Sequence, residues 1–377
     1  MKHGSYRDTW VEVSLDAIEA NVKTFKEHIQ QTSRLMAVVK ADGYGHGAVQ
    51  AARTSIDAGA DYLAVAFLDE ALHLRGAGIT EPILILGYTP PSAVQKAIEN
   101  DITLTVFSED VIEEINQAVQ ALNKKAKIHL KIDSGMNRIG IQNKEEALKM
   151  SRLLGSPNIL LEGIFTHFAD SDNLDPIYTY NQFKKFISIT DHLEEHHIHI
   201  PIKHCCNSAA TISYPEMHLD MVRVGVSLYG LYPEDHLQSK IRLQQAMSFK
   251  TKPVMVKTVA AGEPISYGCT YTPEKESVIA TIPVGYADGF SRQLSNKGCV
   301  TVKGNRAPIV GRVCMDQSMI DVSGIESVAK SDVVTLFGDP ANGYVSLKEV
   351  ADLMATIHYE AACLIGERVP RVYIRNA

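Results

Sequence analysis

The stretch that decides the fold is "AVVKADGYGHG", residues 37–47. An apolar run ends on Lys40, and glycine then follows at every second position, as Gly43, Gly45 and Gly47. A short apolar run bounded by glycines is typical of a buried strand. Glycine also lets the backbone pass close to other groups. The stretch therefore predicts a strand that carries an ammonium group to its end, followed by a tight turn.

Seven further short apolar runs follow along the chain. They alternate with amphipathic segments such as "SEDVIEEINQAVQALNKK" (108–125). Apolar strands that alternate with helices predict a parallel sheet covered on both faces. Eight such units in succession predict a closed (β/α)₈ barrel, with an open doubly wound sheet as the alternative. The runs are "LMAVVK", "YLAVAF", "ILILGY", "ITLTVF", "IHLKID", "EGIFTHF", "IKHCCNS" and "VRVGVSLYG".

The pattern changes near residue 240, where strands broken by Gly, Pro and Asp turns replace the helices. This change predicts a second, mostly β domain. The expected division is an N-terminal strand in 1–12 that can pair with the C-terminal domain, a barrel over 13–241, and the mostly β domain over 242–377. The predicted fold class is α/β, a (β/α)₈ barrel followed by a β domain.

Composition argues against several classes of protein. The net charge of −7, with acids and bases mixed along the chain, gives no sign of nucleic-acid binding. No apolar run approaches the roughly 20 residues that span a bilayer, and the first residues lack the apolar core of a signal peptide. None of the six cysteines forms a C-x-x-C pair. We expect a cytoplasmic protein, and we interpret "HLEEHHIHIPIKH" (192–204) as a solvated helix and turn rather than a metal site.

Lys40 is the first candidate functional residue. The C-terminal ends of barrel strands carry the chemistry in this fold, and a lysine there can form a Schiff base with an aldehyde. The segments after the last two barrel strands contain small residues whose amides can bind phosphate, namely Asn207, Ser208, Gly225 and Val226. A surface lysine and ordinary turns are the simpler alternative. Together, the lysine and the amides indicate pyridoxal phosphate (PLP), an aldehyde that carries a phosphate.

Ordered motifs over nearly the whole chain resemble the alanine racemase family. The resemblance implies a PLP-dependent amino-acid racemase that interconverts L-alanine and D-alanine with two bases and supplies D-alanine for the bacterial cell wall. It also implies a homodimer with shared active sites. The motifs are "AVVKADGYGHG", "KIDSGMNRIG", "GIFTHFADSD", "HCCNSAA", "MVRVGVSLYG", "ISYGCTY", "IPVGYADG", "GRVCMDQ" and "RVPR".

The resemblance also implies a role for each matching residue. Lys40 would hold PLP and act as the base for D-alanine, and Tyr267 would be the base for L-alanine, reaching in from the partner subunit. Arg138 and Met315 would bind the substrate carboxylate, and Lys131 would be carbamylated to orient Arg138. The expected cofactor-binding residues are Lys40, Tyr44, His167, Asn207, Ser208, Arg223, Gly225, Val226 and Tyr359, with Arg223 at the pyridine nitrogen. The expected substrate entrance is lined by Asp172, Tyr286, Arg292 and Arg312.

The same residues are also compatible with other structural and functional roles. Arg223 can be a barrel residue paired with a carboxylate, and Tyr267 can be a packed strand aromatic. A decarboxylase of the same architecture, a non-catalytic PLP carrier and a racemase acting on serine are the alternative functions. A decarboxylase should place an acid at the pyridine nitrogen, where this chain has Arg223. His358 and Glu367 depart from the family pattern without affecting an assigned role.

Overall fold

A computed structural model describes residues 6–375. Residues 1–5, in the predicted segment 1–12, and residues 376–377, in the predicted segment 242–377, lie outside the described residues. The chain forms two compact units. One, which we call the barrel unit, comprises Ile18–Gly43 and Ala48–Leu243. The other, the β unit, comprises the described residues up to Ala17, Tyr44–Gly47 and the described residues from Gln244.

The barrel unit is built on eight parallel strands that close on themselves. Its strands pair in the orders β9-β2-β3-β4 and β5-β6-β7-β8. A parallel bridge between Leu84 and Thr103 joins the two four-stranded groups beside β4 and β5. Beside β8 and β9, the Asp220 N–H donates to the Lys203 C=O at 3.1 Å. The predicted (β/α)₈ barrel is therefore confirmed. After β1 (Thr9–Ser14), which belongs to the β unit, the strands are β2 (Arg34–Val38), β3 (Tyr62–Val65), β4 (Ile83–Ile85), β5 (Leu104–Val106), β6 (Ala126–Lys131), β7 (Ile159–Phe165), β8 (Ile202–His204) and β9 (Met221–Val224).

Helices connect these strands, and their apolar faces explain their positions. The helix over Glu109–Leu122 buries Val111, Ile112, Ile115, Ala118 and Val119, which recur at helical spacing. Acidic residues in its first turn complement the helix dipole, and Asn123 in the left-handed conformation ends it. The helices are α1 (Leu15–His28), α2 (Ala48–Asp57), α3 (Leu68–Gly76), α4 (Pro91–Glu99), α5 (Glu109–Leu122), α6 (Lys144–Leu153), α7 (Ile177–Glu195) and α8 (Ser208–Ser213).

The glycine-rich stretch after β2 forms a left-handed turn over Lys40–Tyr44. Ala41, Asp42 and Tyr44 have φ between 51° and 52°, a conformation that costs an L-residue about 1–2 kcal/mol. Side chains compensate for part of this cost, because Glu70 Oε1 accepts the Ala41 N–H at 2.6 Å and Asp42 Oδ1 accepts the Ala48 N–H at 2.7 Å. The strand itself ends at Val38, two residues before the lysine.

The β unit holds a six-stranded sheet and a three-stranded sheet. The larger has the order β14-β13-β16-β10-β1-β17 and the smaller β11-β12-β15. Strand β1 lies antiparallel to β10 and parallel to β17, and it buries Val11 and Val13 while the residues between them stay half-buried. This part of the chain is mostly β, as predicted. The elements are β10 (Met247–Thr251), β11 (Met255–Val259), β12 (Ser277–Ile282), β13 (Cys299–Val302), β14 (Asn305–Pro308), β15 (Ser318–Asp321), β16 (Val334–Phe337), α9 (Leu347–Leu353), α10 (His358–Cys363) and β17 (Arg371–Ile374).

Residues Tyr44–Gly47 belong to the β unit, and two glycines there meet other groups at close range. A Cβ on Gly45 would lie 2.6 Å from the Ala362 carbonyl oxygen, and one on Gly47 would collide with the Tyr373 hydroxyl. The Gly45 carbonyl also accepts a hydrogen bond from Arg371 Nε at 3.0 Å. The glycine spacing is thus required by close packing inside this unit.

Among residues 6–375, no helix is both long and apolar enough to cross a membrane.

We expect Gly45→Ala to destabilise the protein more than Gly262→Ala. The two glycines have φ of 81° and 84°, but nothing lies within 4 Å of a Cβ placed on Gly262. The Gly262 change should cost about 1 kcal/mol from the backbone conformation alone, whereas the Gly45 change should cost about 2–4 kcal/mol because Ala362 must also move. Urea unfolding measures both values. Equal losses would show that the contact with Ala362 relaxes freely.

Candidate active site

Basic and polar side chains cluster at the carboxyl ends of the barrel strands. Lys40 follows β2, Lys131 is the last residue of β6, and His167 lies two residues beyond β7. Asn207 and Ser208 follow β8, while Arg223 lies within β9. Because all eight strands are parallel, these residues share one end of the barrel, where this fold places its functional groups.

Arg223 is a buried hub that joins three strands. Its Nη2 donates to the carbonyl oxygens of Thr166 at 2.8 Å and Cys205 at 3.1 Å. Its guanidinium also meets His204 Nδ1 at 3.0 Å and His167 Nδ1 at 3.2 Å. Burial lowers the pKa of Arg223 to about 10, so it still carries its charge at neutral pH. Its partners are carbonyls and imidazoles, and within residues 6–375 it forms no ion pair with a carboxylate.

Lys131 lies beside the same group of side chains. Its Nζ is 4.5 Å from the centre of the Phe165 ring, above which Arg223 Cζ lies at 5.3 Å. Burial lowers the pKa of Lys131 well below its ordinary value, and the charges of Arg223 and Arg138 lower it further. A buried amine of this kind is readily neutral and nucleophilic.

Several basic side chains act on the pKa of His167. Burial lowers its pKa well below the ordinary value, and the charges of Lys131, Arg223, Arg138 and Lys40 act in the same direction. Arg138 itself is exposed, on a loop whose amides at Gly135 and Asn137 both donate to Asp133 Oδ1 at 3.0 Å. This end of the barrel is therefore strongly electropositive and suited to an anionic ligand.

The ends of β8 and β9 form a small cradle of backbone amides. Ser208 Oγ accepts the Gly225 N–H at 3.0 Å, which ties the two segments together. A 3₁₀ turn over Val226–Tyr229 follows at once, so the amides at its start point out of the turn. Asn207 caps α8 by accepting the Ala210 N–H at 2.9 Å, and it also accepts the buried Ser171 hydroxyl at 2.8 Å.

Sequence reasoning missed a hydrogen-bonded chain inside the barrel. From Arg223 it runs through His204 to His129 Nδ1 at 2.9 Å, then from His129 Nε2 to Glu162 at 3.2 Å, and Tyr62 donates to Glu162 at 2.8 Å. His129 and His204 are fully buried, and burial lowers the pKa of both. The available signal was a histidine within each of the apolar runs "IHLKID" and "IKHCCNS".

In the β unit, five predicted residues line one cavity of about 1180 Å³. Two of its walls are held together by the backbone, because the amides of Tyr286 and Ala287 donate to the Cys314 and Met315 carbonyls at 3.0 and 3.1 Å. Tyr267 projects with 74% of its surface exposed. The five residues are Tyr267, Tyr286, Arg292, Arg312 and Met315.

A buried carboxylate that sequence reasoning also missed fixes this wall. Asp288 is fully buried and accepts hydrogen bonds from Arg7 at 2.8 Å, Arg368 at 2.7 Å and the Gly285 N–H at 2.9 Å. Arg368 reaches on to Asp316 at 2.8 Å, beside Met315. The hydrogen bonds from Arg7 and Arg368 hold the pKa of Asp288 below its ordinary value, although burial alone would raise it.

The remaining predicted residues are divided between the two units. Tyr44 and Tyr359 both belong to the β unit, where burial and the neighbouring Cys363 and Tyr359 raise the pKa of Tyr44. Asp172 is half-buried in the loop after β7 of the barrel unit. In the β unit, Tyr44 and Tyr359 are not among the residues that line the cavity beside Tyr267.

A closed parallel barrel with a lysine, buried cations and an amide cradle at its carboxyl end is typical of enzymes that bind phosphorylated ligands. Comparison with known proteins identifies the group. The family model "Alanine racemase, N-terminal domain" matches residues 13–233, and "Alanine racemase, C-terminal domain" matches residues 246–373. The chain belongs to the alanine racemase family.

Individual relatives agree along their whole length. The chain is 62% identical over 377 residues to "Alanine racemase 2" of Oceanobacillus iheyensis, covering 100% of this chain and 96% of the relative. The alanine racemase of Clostridium difficile 630 superposes with a TM-score of 0.94 at 42% identity, covering 98% of this chain and 97% of that one. The Bacillus anthracis alanine racemase with bound L-Ala-P gives a TM-score of 0.92 at 43% identity, with 99% and 97% covered.

The buried histidines predict a loss of stability in acid. His129, His167 and His204 have pKa values lowered from 6.5 in the folded state, so the unfolded chain binds protons first as the pH falls. Their contribution to stability is present above pH 6.5 and is lost below it, each with a slope of up to about 1.4 kcal/mol per pH unit.

Urea unfolding between pH 8 and pH 5 tests this expectation. His204→Asn should lower stability at neutral pH, because it removes the stacking on Phe165, but it should flatten the dependence between pH 6.5 and 5. The exposed His197, replaced by Asn, serves as the control and should keep the parental slope. A parental slope in His204→Asn would contradict the prediction.

Proposed function

We propose that the chain interconverts L-alanine and D-alanine with PLP as its cofactor, and that it supplies D-alanine for the bacterial cell wall. The observation that carries the proposal is Arg223, a buried guanidinium at a barrel-strand end that is held by carbonyls and imidazoles. A same-fold decarboxylase would need an acid at this position. Alanine is the substrate of the relatives by name.

The residues present fit PLP. Its phosphate and its phenolic oxygen are anionic, and the positive charges of Arg223 and Arg138 act at this end of the barrel, where they lower the pKa of His167. Ser208, Gly225 and Val226 would hold the phosphate through their amides and hydroxyl, with Asn207 nearby. Tyr44 and Tyr359 are proposed as further phosphate ligands, and Lys40 as the residue that attaches the cofactor.

When bound, PLP makes the α-proton of an amino acid acidic by spreading negative charge into its ring. We assign the two proton carriers to Lys40 Nζ and Tyr267 Oη. Inversion needs one proton removed from one face of Cα and another delivered to the opposite face, which two separate groups achieve without turning the substrate. Arg138 and the Met315 amide would hold the substrate carboxylate, so that Cα stays between the two groups.

Arg223 would donate a hydrogen bond to the pyridine nitrogen. A guanidinium with a pKa of about 10 keeps its protons at neutral pH and can only donate, so the pyridine nitrogen would accept the hydrogen bond in its unprotonated form and the ring would withdraw charge weakly. A weaker electron sink favours prompt return of the proton over side reactions. His204 and His129 keep the guanidinium in place from behind.

We also propose that Lys131 is carbamylated. A buried, nucleophilic amine close to Arg138 is the form that adds carbon dioxide, and the carbamate would then bear a negative charge facing the arginines. Asp172, Tyr286, Arg292 and Arg312 would line the entrance for substrate.

We further propose a cytoplasmic homodimer. The six cysteines form no disulfide bonds within residues 6–375, which suits a reducing compartment. Lys40 and Tyr267 belong to different units of the chain, and the exposed side chain of Tyr267 is available to a second copy. In a head-to-tail dimer, each site would take its lysine from one subunit and its tyrosine from the other.

Purified protein with PLP should convert L-alanine to D-alanine, measured by chiral chromatography. Borohydride reduction followed by peptide mapping should place the pyridoxyl group on Lys40. Carbon-13 NMR of the intact holoenzyme with labelled bicarbonate should show a carbamate signal that is absent in Lys131→Ala. Tyr267→Phe keeps the ring and should lose about 10²-fold or more in rate. Label on another lysine, or release of carbon dioxide from alanine, would contradict the assignment; equal rates with serine would widen the substrate class.

Mixing two inactive variants tests the shared site. In a dimer formed from Lys40→Ala and Tyr267→Phe subunits, one site carries both changes and the other carries neither. Activity should return to about a quarter of the parental level after random exchange at equal amounts. Mass spectrometry must show that mixed dimers have formed. No recovery in such a sample would place both groups in a single chain's site.

A further inference from the structure

Ser266 has an unusual backbone conformation immediately before Tyr267. Its φ is 69° and its ψ is 179°, a combination that is essentially confined to glycine. Cys269, two residues after the tyrosine, also has a positive φ of 50°. Strain of this kind persists only where the surroundings hold it in place, and it concentrates at functional sites.

The Ser266 hydroxyl is the most direct brace of this turn. It donates to the Arg312 carbonyl at 2.7 Å, which fastens the turn to the neighbouring segment. Within the turn, the Ile265 N–H donates to Tyr271 C=O at 2.9 Å and the Cys269 N–H donates to Ser266 C=O at 3.2 Å. The turn is therefore closed on itself and fastened to the neighbouring segment by the Ser266 side chain, whose hydroxyl also lies 3.6 Å from Cys314 Sγ.

Two neighbouring residues, Gly311 and Asn296, also hold the turn against the adjoining segment. A Cβ on Gly311 would lie 2.7 Å from Ser266 Cβ, so the adjoining backbone can approach only as glycine. Asn296 accepts the Gly311 N–H at 2.6 Å and donates to the Thr270 hydroxyl at 3.2 Å, which joins the same two segments a second time. The contacts converge on the four-residue turn that carries Tyr267.

Tyr267 depends on this support because its own side chain is 74% exposed. Packing within the unit leaves the ring largely open, so the backbone sets the direction in which it projects. A proton carrier must lie within hydrogen-bond reach of its target, and displacements of about 1 Å can cost about 10²-fold in rate.

We propose that Ser266 is a positioning residue for proton transfer by Tyr267. Its hydroxyl holds the strained turn against the Arg312 carbonyl and so fixes the direction of the tyrosine. The proposal rests on the proposed role of Tyr267 as one of the two bases.

Two substitutions separate positioning from folding. Ser266→Ala removes the hydroxyl and keeps the strained conformation, so it should also lower the melting temperature. Ser266→Gly removes the hydroxyl and accepts the conformation without strain, so it should stay folded. In both holoenzymes we expect kcat to fall about tenfold or more with little change in KM, because the tyrosine turn is looser.

Isotope effects give a signature that a general structural defect lacks. The resemblance assigns abstraction from L-alanine to Tyr267 and from D-alanine to Lys40. If the tyrosine step slows, the primary deuterium effect on kcat/KM should rise with [2-²H]-L-alanine and fall with [2-²H]-D-alanine. Ser277→Ala is the matched control, since Ser277 is a buried serine of the same unit that donates to the Lys275 carbonyl at 3.1 Å, and it should leave rate and isotope effects unchanged.

Opposite shifts of the two isotope effects in Ser266→Gly would support the proposal. Parental rates and isotope effects in both Ser266 variants would overturn it, and so would a lower rate with both isotope effects unchanged. Tyr267→Phe distinguishes failure of this inference from failure of the proposed function. A near-parental rate in Tyr267→Phe would contradict the assignment of Tyr267 as a base. A large loss of rate in Tyr267→Phe, together with parental behaviour of the Ser266 variants, would contradict only the positioning role of Ser266.

Discussion

The arrangement of the barrel's carboxyl end depends on keeping one guanidinium charged inside it. Removing Arg223 from water is costly, and a carboxylate partner would cancel the charge that an anionic ligand needs. The chain instead surrounds it with the carbonyls of Thr166 and Cys205 and with the imidazoles of His167 and His204. These groups accept hydrogen bonds without neutralising the charge. Because they come from the ends of β7 and β8, holding Arg223 also fixes the spacing of the strands that carry the cradle of backbone amides.

The hydrogen bonds that hold Arg223 continue into the barrel interior. His204 stays neutral between Arg223 and His129, and His129 in turn meets the carboxylate of Glu162. The negative group is thus placed two imidazoles away from the guanidinium rather than against it. The negative charge therefore lies at a distance from the guanidinium, and the side chains between them are joined by hydrogen bonds.

The sequence predicts the architecture well because the spacing of apolar residues indicates which faces of each strand and helix are buried, and the pattern of buried faces is typical of a fold class. The eight apolar runs became eight barrel strands, and the change near residue 240 marks the mostly β part. Periodicity says little about conformations set by distant contacts. The alternating glycines of residues 43–47 indicated an unusual turn. The local sequence did not indicate that Ala41, Asp42 and Tyr44 would also be left-handed. Their conformation is stabilised in part by hydrogen bonds to Glu70 and from the Ala48 amide, which lie outside the turn. The backbone conformation of Ser266 was likewise not indicated by the local sequence, because a hydrogen bond to the distant Arg312 carbonyl helps to hold it. Roles assigned by resemblance, such as those of Lys131 and Tyr267, remain predictions.

The position of β1 has a consequence for how the protein is made. This strand is synthesised before the barrel unit, yet its two neighbours in the six-stranded sheet are β10 at residues 247–251 and β17 at residues 371–374. During translation its hydrogen-bonding edges therefore stay without their native partners until most of the polypeptide has left the ribosome. Exposed strand edges of this kind can pair with other nascent chains. The β unit can therefore be completed only after the residues of the barrel unit that separate β1 from its partners have been synthesised.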